Sequence, residues 1–498
     1  MMTTTHLHGF RRLLLAGTVA ALVCSGQTPA QTLDLPDMGS SADAVMTSGA
    51  EVQLGKAFMR SVRQSLPVLD DPMTTSYVES LGRSLVVADP TTTGSFTFFV
   101  IDQPTVNAFA GPGGYIGVYS GLVLAAETES ELAAVIAHEI SHVTQHHLLR
   151  SIEDQGKLGV PAIALMVAAA ILGAQVSSDA GAAAIVGIQA AAIQHQINFT
   201  RDNEKEADSL GISRLAKAGY DPYAMAGFFE RLSKSSRLYE NNAPEFLRTH
   251  PVNSNRIADA LGRADDHGAR QRPDSLRFQL ARASLRQRSY SRPDQSVAHF
   301  RDTLREGRVR NEIAERYGYA LALERALRLL EAQAETARLL AAKPGVEEFI
   351  ALDARLDQKQ GRSDSAVTKL RQAVGLAPDS WPLRVAYADA LMSAGKPAKA
   401  MDELLAVSRL RPGNAMLYEM LEQAAIKAGN KGATFRFRAE KLYAEGDLEP
   451  AIRQLEVAMR QRDLPYHDTA EIQARLETWK EEQRDKKRDG KNGKGPND

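Results

Sequence analysis

The sequence predicts a mostly α-helical protein in two parts: an α+β domain with a small sheet, then an all-α tetratricopeptide-repeat solenoid. A stretch of β-branched and aromatic residues broken by glycines occupies residues 96–126. A helical apolar pattern with its own start signal follows that stretch. From about residue 277 to 480 the patterns are helical, and small residues recur at a fixed interval. A chain of 498 residues is also too long for one core.

The sheet segment reads FTFFVIDQPTVNAFAGPGGYIGVYSGLVLAA, which predicts short strands joined by tight turns. Thr128 and Glu131 then form a capping box, the signature of a helix start. Apolar residues follow at helical spacing as far as Val143, so this helix should have a buried face. His138 and His142 are four residues apart and therefore project side by side from it.

Small and helix-breaking residues recur every 34 positions in the second half of the chain. The three sets are Ala298, Ala332, Ala366 and Ala400; Pro344, Pro378 and Pro412; Gly361, Gly395 and Gly429. Thirty-four residues is the period of the tetratricopeptide repeat. The alanines let two helices approach closely, the glycines lie between them, and the prolines end the second helix. Residues 481–498 contain no apolar residue and are predicted to form a disordered charged tail.

Residues 1–30 have the form of a secretory signal peptide. Arg11 and Arg12 precede an apolar run over 13–23, and small residues near Ala30 predict cleavage there. This predicts a periplasmic protein. The alternative is a lipoprotein anchored at Cys24, the one cysteine of the chain, although valine precedes it where a small residue is expected.

A second apolar stretch covers residues 158–194 and carries no charge from Leu158 to Ser178. It is long enough to raise the alternative of membrane crossing. Because Pro161 interrupts it and SSDAG reads as a turn, we expect a helical hairpin packed on the protein or on a partner. Peripheral contact of this hairpin with a membrane stays open. The net charge of −1 argues against nucleic-acid binding.

The sequence HEISH at 138–142 carries the clearest chemistry. A zinc hydrolase needs neutral imidazoles to hold the metal, an open position for water and a carboxylate that takes a proton from that water. HExxH on a helix supplies two histidines on one face and places Glu139 beside them as the base. The alternative is an ordinary polar helix that happens to contain the motif.

A third ligand must come from another helix. The pattern HExxHxxGxxH would require histidine at position 148, which is Leu148. His146 lies eight residues from His138, about 12 Å along a helix, which is too far to share one ion. Glu204 and Asp208 share one face of the helical segment TRDNEKEADSLGI, so one can bind zinc while the other orients a histidine. The alternative is a solvated acidic helix start.

Four motifs carry a family resemblance: NAFAGPGG (107–114), HEISH (138–142), RDNEKEAD (201–208) and RTHPVNSNR (248–256). In this order, and followed by tetratricopeptide repeats, they resemble bacterial periplasmic zinc metalloproteases. The wider family contains the CAAX prenyl proteases and the membrane-bound heat-shock protease. The resemblance implies a gluzincin-type zinc metalloprotease domain over residues 31–270.

The resemblance also implies a role for each motif residue. His138, His142 and Glu204 would hold one Zn²⁺ ion per chain, Glu139 would be the general base, and Asp208 would support the ligands. His250 would lie close to the metal and either stabilise the oxyanion or close the site. His146, His147 and His195, by contrast, are predicted to be packing or surface residues.

The family motif also implies a peptide-binding edge. Asn107, Gly113, Gly114 and Tyr115 would line an edge strand to which substrate backbone adds as an extra strand. The alternative for Asn107 and Gly113 is that they simply form turns.

The implied function is that of an exported zinc endopeptidase acting on polypeptides. It would degrade or process misassembled envelope and outer-membrane proteins, with the repeats docking the outer-membrane assembly machinery. The alternative is a chaperone-like outer-membrane assembly factor in which proteolysis is secondary.

Overall fold

The structure is a computed structural model that describes residues 48–148, 150, 201–238, 244–307 and 309–492. The predicted signal peptide, Cys24, the 158–194 hairpin and His195 lie outside these residues. Within the described ranges, no helix combines the length and apolar character needed to cross a membrane.

The first part of the chain combines helices with a small sheet. Its helices are α1 Ser48–Ser65, α2 Pro72–Val87, α3 Ser120–Ala125, α4 Glu129–Thr144, α5 Arg201–Lys217, α6 Ala224–Leu238, α7 Glu245–Thr249 and α8 Ser254–Asp265. Its strands are β1 Thr97–Ile101, β2 Ala108–Gly111 and β3 Tyr115–Tyr119. The predicted strands between residues 96 and 126 are therefore present, and the end of that stretch is helix α3.

The sheet has the order β1-β3-β2. β1 runs parallel to β3, with Phe98 opposite Ile116, and β2 runs antiparallel, with Phe109 opposite Gly117. β2 pairs with β3 alone among the described residues, so it is an edge strand. α4 packs against β2 and β3, which fixes the HEISH helix beside this edge.

Helix α4 begins as its sequence predicts. The Thr128 hydroxyl accepts a hydrogen bond from the Glu131 backbone N–H at 3.2 Å. The other half of the capping box is shifted, because the Glu131 carboxylate accepts from the backbone N–H of Glu127. That carboxylate also binds Arg231 of α6 through two contacts of 2.6 Å. The start of α4 is thus tied to α6 as well as capped.

The second part consists of paired helices. They are α9 Leu276–Ser289, α10 Pro293–Glu306, α11 Glu312–Arg325, α12 Leu329–Ala342, α13 Glu347–Lys359, α14 Ser363–Leu376, α15 Trp381–Ser393, α16 Pro397–Leu410, α17 Ala415–Ala428, α18 Lys431–Glu445, α19 Leu448–Ala458 and α20 Tyr466–Asn492. The alanines of the 34-residue period that fall at helix contacts, Ala332, Ala366 and Ala400, are fully buried. Gly361 and Gly395 have φ of 78° and 69° and link the two helices of a repeat. The repeat prediction is confirmed.

The disordered tail predicted from residue 481 is wrong over residues 481–492, which continue α20. Trp479 is buried and stacks on Tyr443 with ring centroids 4.3 Å apart. One turn further on, the Glu482 carboxylate accepts hydrogen bonds from Arg60 of α1 at 3.0 Å and from the Tyr443 hydroxyl at 2.8 Å. Contacts with distant elements thus stabilise a helix whose own sequence is polar.

The repeats fold back onto the first part of the chain. Phe278 of α9 belongs to the same apolar core as α4, and Arg411, after α16, forms an ion pair with Glu79 of α2. The Arg411 guanidinium also lies 3.9 Å from the centre of the Trp381 ring. A cavity of about 1120 Å³ remains between α1, β1 and the inner face of the repeats, and Tyr115 and Tyr418 line it from opposite sides.

Candidate metal centre

Side chains from three elements meet at one buried point. α4 contributes His138 and His142, α5 contributes Glu204, and His250 lies directly after α7. One nitrogen or oxygen atom from each of these four residues lies within 4.8 Å of the others. Each of the four residues is 2% exposed or less. The structure therefore brings together the three predicted metal ligands and His250, which the family resemblance places close to the metal.

The distances between these atoms suit one small cation. Donor atoms of a tetrahedral zinc site with bonds of about 2.0–2.1 Å are roughly 3.4 Å apart. His138 Nε2 lies 2.9 Å from His142 Nε2 and 3.6 Å from Glu204 Oε2, and His142 Nε2 lies 3.5 Å from Glu204 Oε1. His250 Nδ1 lies 3.3 Å from His138 Nε2 and 2.9 Å from Glu204 Oε1. Imidazoles and a carboxylate at these separations fit a zinc ion.

His138 is held by a buried carboxylate. Its Nδ1 lies 2.9 Å from Asp208 Oδ1, one helical turn beyond Glu204, which leaves Nε2 directed at the cluster. Arg256 donates to both oxygens of Asp208 at 2.8 Å and contacts Glu204 Oε2 at 2.7 Å. The role expected of Asp208 matches this geometry. Sequence reasoning assigned no role to Arg256, although it is the last residue of the RTHPVNSNR motif.

His142 is held by a different contact. Its Nδ1 lies 2.8 Å from Nδ1 of His147, and Nε2 of His147 lies 3.1 Å from Glu206 Oε2. The prediction of a packing or surface role for His147 missed this contact with His142. α4 ends at Thr144, and the left-handed His146, with φ of 51°, turns the chain so that His147 returns to His142. Helical spacing cannot reveal such a pair.

Glu139 has the environment of a proton acceptor. Burial raises the pKa of its carboxyl, opposed by the positive potential of His250 and His138. Both oxygens are buried without a hydrogen bond of good geometry in the described part of the chain. His250 Nε2 lies 3.4 Å from Oε1. A carboxylate in this environment binds a proton more readily than an exposed one.

The pKa values of the other buried groups are shifted, and the shifts of the predicted ligands favour the forms that bind metal. Burial, reinforced by His138 and His250, holds the pKa of His142 well below its usual value, so its imidazole is neutral. Burial alone would raise the pKa of Glu204, but His250 and His138 outweigh it and the net pKa is lowered. Burial would likewise lower the pKa of His250, but Glu204 and Glu139 raise it overall. Glu204 is therefore ionised beside a neutral ligand imidazole.

The residues expected to line the edge strand lie in different places in the structure. Asn107 precedes β2 and its side chain accepts a hydrogen bond from the Ala108 N–H at 3.0 Å. Gly113 and Gly114 form the turn after β2, with φ of 70° and 74°, and a Cβ at Gly114 would lie 1.9 Å from the Ser95 carbonyl oxygen. Turn geometry thus accounts for both glycines.

The expectation that Tyr115 lines the edge strand is wrong. It is the first residue of β3, the central strand, and its side chain lines the cavity toward the repeats. The edge strand is β2, which is buried apart from a partly exposed Ala110, and the backbone amide of Ala110 faces the Glu139 carboxylate.

An HExxH helix and a carboxylate helix that converge on one buried cluster, joined to a repeat solenoid, define a metallopeptidase of the gluzincin type. Family models agree: Peptidase family M48 matches residues 72–264, and Tetratricopeptide repeat matches residues 358–423. The β-barrel assembly-enhancing protease of Escherichia coli K12 is 35% identical over 474 residues, which covers 94% of this chain and 97% of that protein. The chain belongs to the family of β-barrel assembly-enhancing proteases.

Two further relatives match very different shares of the chain. The β-barrel assembly-enhancing protease of Yersinia pestis is 34% identical over 466 residues, 93% of this chain and 95% of that protein. The mitochondrial metalloendopeptidase OMA1 of Arabidopsis thaliana is 30% identical over 162 residues, 32% of this chain and 30% of that protein.

Proposed function

We propose that this metallopeptidase is an exported zinc endopeptidase that acts on misassembled envelope proteins. His138, His142 and Glu204 hold one Zn²⁺ ion, and Glu139 is the general base. The observation that carries the proposal is the convergence of α4 and α5, which places two imidazoles, the carboxylate of Glu204 and the carboxylate of Glu139 in one buried site.

The residues around the ion divide the chemistry between them. When bound, zinc supplies the Lewis acid that polarises the scissile carbonyl and activates water. Glu139 accepts a proton from the attacking water and returns it to the leaving amine, a step that its raised pKa favours. His250, with Nε2 3.4 Å from Glu139, closes the site or stabilises the oxyanion. Asp208 holds His138 in the tautomer that binds metal through Nε2.

Substrate backbone would add to the outer edge of β2, which has no strand partner on that side among the described residues. An extended peptide gains affinity from main-chain hydrogen bonds to such an edge and specificity from pockets for its side chains. β2 runs beside α4, so an added strand would pass over Glu139. A hollow of about 20 Å³ lined by Ala110, Gly111 and His142 lies at this edge, which is room for about one water molecule.

The envelope location and the partners rest on the relatives and on the sequence. Relatives of nearly full length are named for β-barrel assembly, and the first 30 residues have the form of a signal peptide. The repeats would dock the outer-membrane assembly machinery, since tetratricopeptide solenoids use their concave face for polypeptides. The cavity of about 1120 Å³ between the repeats and α1 is where such a segment would bind.

A chaperone-like assembly factor is the second candidate. The observation that favours this function is the cavity of about 1120 Å³. Residues from both parts of the chain line the cavity, and the predicted metal ligands are not among them. Full rescue of outer-membrane assembly in cells by a Glu139→Gln protein would favour the chaperone activity. Absence of rescue would favour proteolysis.

The deciding experiment combines metal analysis with casein cleavage by the purified mature protein. We expect one zinc per chain, retained in Glu139→Gln while cleavage falls by at least about 100-fold. Glu204→Ala should lose both zinc and cleavage. Asp202→Ala removes an exposed carboxylate from the same helix and should keep both. An active Glu139→Gln enzyme, or unchanged zinc in Glu204→Ala, would contradict the proposal.

A further inference from the structure

The two ligand histidines are oriented in different ways. Asp208 contacts Nδ1 of His138 directly and is itself held by Arg256 in the interior. Nδ1 of His142 instead contacts a second imidazole, that of His147, which is fully buried. His147 in turn contacts the side chain of Glu206, which is 42% exposed. This second connection runs from the metal cluster to the protein surface.

The chemistry of imidazole fixes the direction of each hydrogen bond in this connection. A neutral histidine that binds metal through Nε2 carries its proton on Nδ1. Two Nδ1 atoms 2.8 Å apart share one proton, so Nδ1–H of His142 donates to Nδ1 of His147. His147 must then carry its own proton on Nε2, 3.1 Å from Glu206 Oε2. A carboxylate accepts that proton in a charge-assisted hydrogen bond.

We propose that His147 and Glu206 are positioning residues for the metal: through His147, the surface carboxylate of Glu206 orients His142 and increases its basicity. The proposal rests on the metal site proposed above and assigns two further residues to it. Partners of this kind typically change metal affinity by about 10- to 100-fold when removed. The local backbone supports the arrangement, because a left-handed non-glycine residue, His146, is what returns His147 to His142.

The test is the zinc dissociation constant, measured by competition with a chromophoric chelator, for purified full-length variants. Glu206→Gln removes the charge at an exposed position and should weaken zinc binding by about 10-fold without changing the melting temperature of the metal-free protein. Asp202→Asn makes the same charge change on the same helix at an exposed position and should bind zinc as the wild type does. His147→Ala should weaken binding by about 10- to 100-fold, and His147→Gln, which retains an acceptor, should recover part of the loss.

Two further readouts separate positioning from a merely structural role. The visible spectrum of the Co²⁺-loaded protein should shift in Glu206→Gln and stay unchanged in Asp202→Asn. The double variant His147→Ala/Glu206→Gln should bind zinc no more weakly than His147→Ala, because Glu206 acts through His147.

Wild-type affinity and an unchanged Co²⁺ spectrum in Glu206→Gln would overturn the inference, even if His147→Ala failed to fold. Additive losses in the double variant would also overturn it. Failure of the wild type to bind zinc would instead overturn the proposed function, and this inference with it. The two failures are therefore distinguishable.

Discussion

Arg256 is neither a predicted ligand nor the general base, yet its loss should damage the site. Its guanidinium makes two contacts of 2.8 Å with Asp208, one of 2.7 Å with Glu204 and one of 2.9 Å with the Pro251 carbonyl oxygen. Arg256 and both carboxylates are at most 4% exposed. Arg256→Ala would therefore leave two buried carboxylates without their cation.

Removing one member of a buried ion pair costs about 3–5 kcal/mol. Because Arg256 serves two carboxylates, we expect a loss of about 4 kcal/mol in the metal-free protein. For a domain of this size that corresponds to a fall in melting temperature of about 8–16 °C. Arg256→Lys keeps the charge but loses the planar fork, so about half of the loss should remain.

Two spectroscopic signals can follow the unfolding of these variants. Both tryptophans, Trp381 and Trp479, lie in the repeats, so their fluorescence follows that part, while far-UV circular dichroism follows all helices. Arg256→Ala should lower the melting temperature followed by far-UV circular dichroism. Arg263→Ala, on the same helix and bonded to Ser209 at an exposed position, is the control and should cost less than about 0.5 kcal/mol. A loss below about 1 kcal/mol for Arg256→Ala would refute the role of the ion pair.

Two further predictions concern stability. Gly114→Ala should prevent stable folding because its Cβ would meet the Ser95 carbonyl oxygen. Gly361→Ala, also at positive φ but with open space around it, should lower the free energy of unfolding by only about 1–2 kcal/mol. Equal losses of unfolding free energy for the two variants in urea melts would refute this. Asp357→Asn should cost about 2 kcal/mol at pH 7. Burial alone would raise the pKa of Asp357, but hydrogen bonds from Lys369 and its neighbours lower it below 3.8. The stabilisation by ionised Asp357 is therefore present above pH 3.8 and is lost as the pH falls through the folded-state pKa. If the difference in unfolding free energy between the wild type and Asp357→Asn stayed constant from pH 7 to about 3, this prediction would be contradicted.

Sequence reasoning succeeded where a residue type or a period carries the information. The spacing of His138 and His142 on one helix, and of Glu204 and Asp208 on another, needs only helical geometry. The glycines of the 34-residue period have positive φ in the structure. Because positive φ favours glycine, this backbone constraint can be read from the sequence. Both signals are local, and both are present in the structure.

The features that were missed depend on contacts between distant residues. Arg256 reaches Asp208 across 48 residues, and no periodicity links them. His147 reaches His142 because a left-handed residue interrupts the helix, and nothing in that stretch marks His146 as left-handed. The helix over residues 481–492 was missed for a similar reason, since its stabilising partner Arg60 lies 422 residues from Glu482.

That last contact has a consequence for how the chain acquires its structure. Of the described helices α1 is synthesised first, yet it packs against α18 and α20, which lie near the other end of the described chain. Contacts between residues so far apart in sequence form late in folding, because closing a long loop costs entropy before the contacts can stabilise the structure. A chain cut short before α20 would therefore leave Arg60 of α1 without its Glu482 partner. Such a chain would also lack Trp479, the ring that stacks on Tyr443.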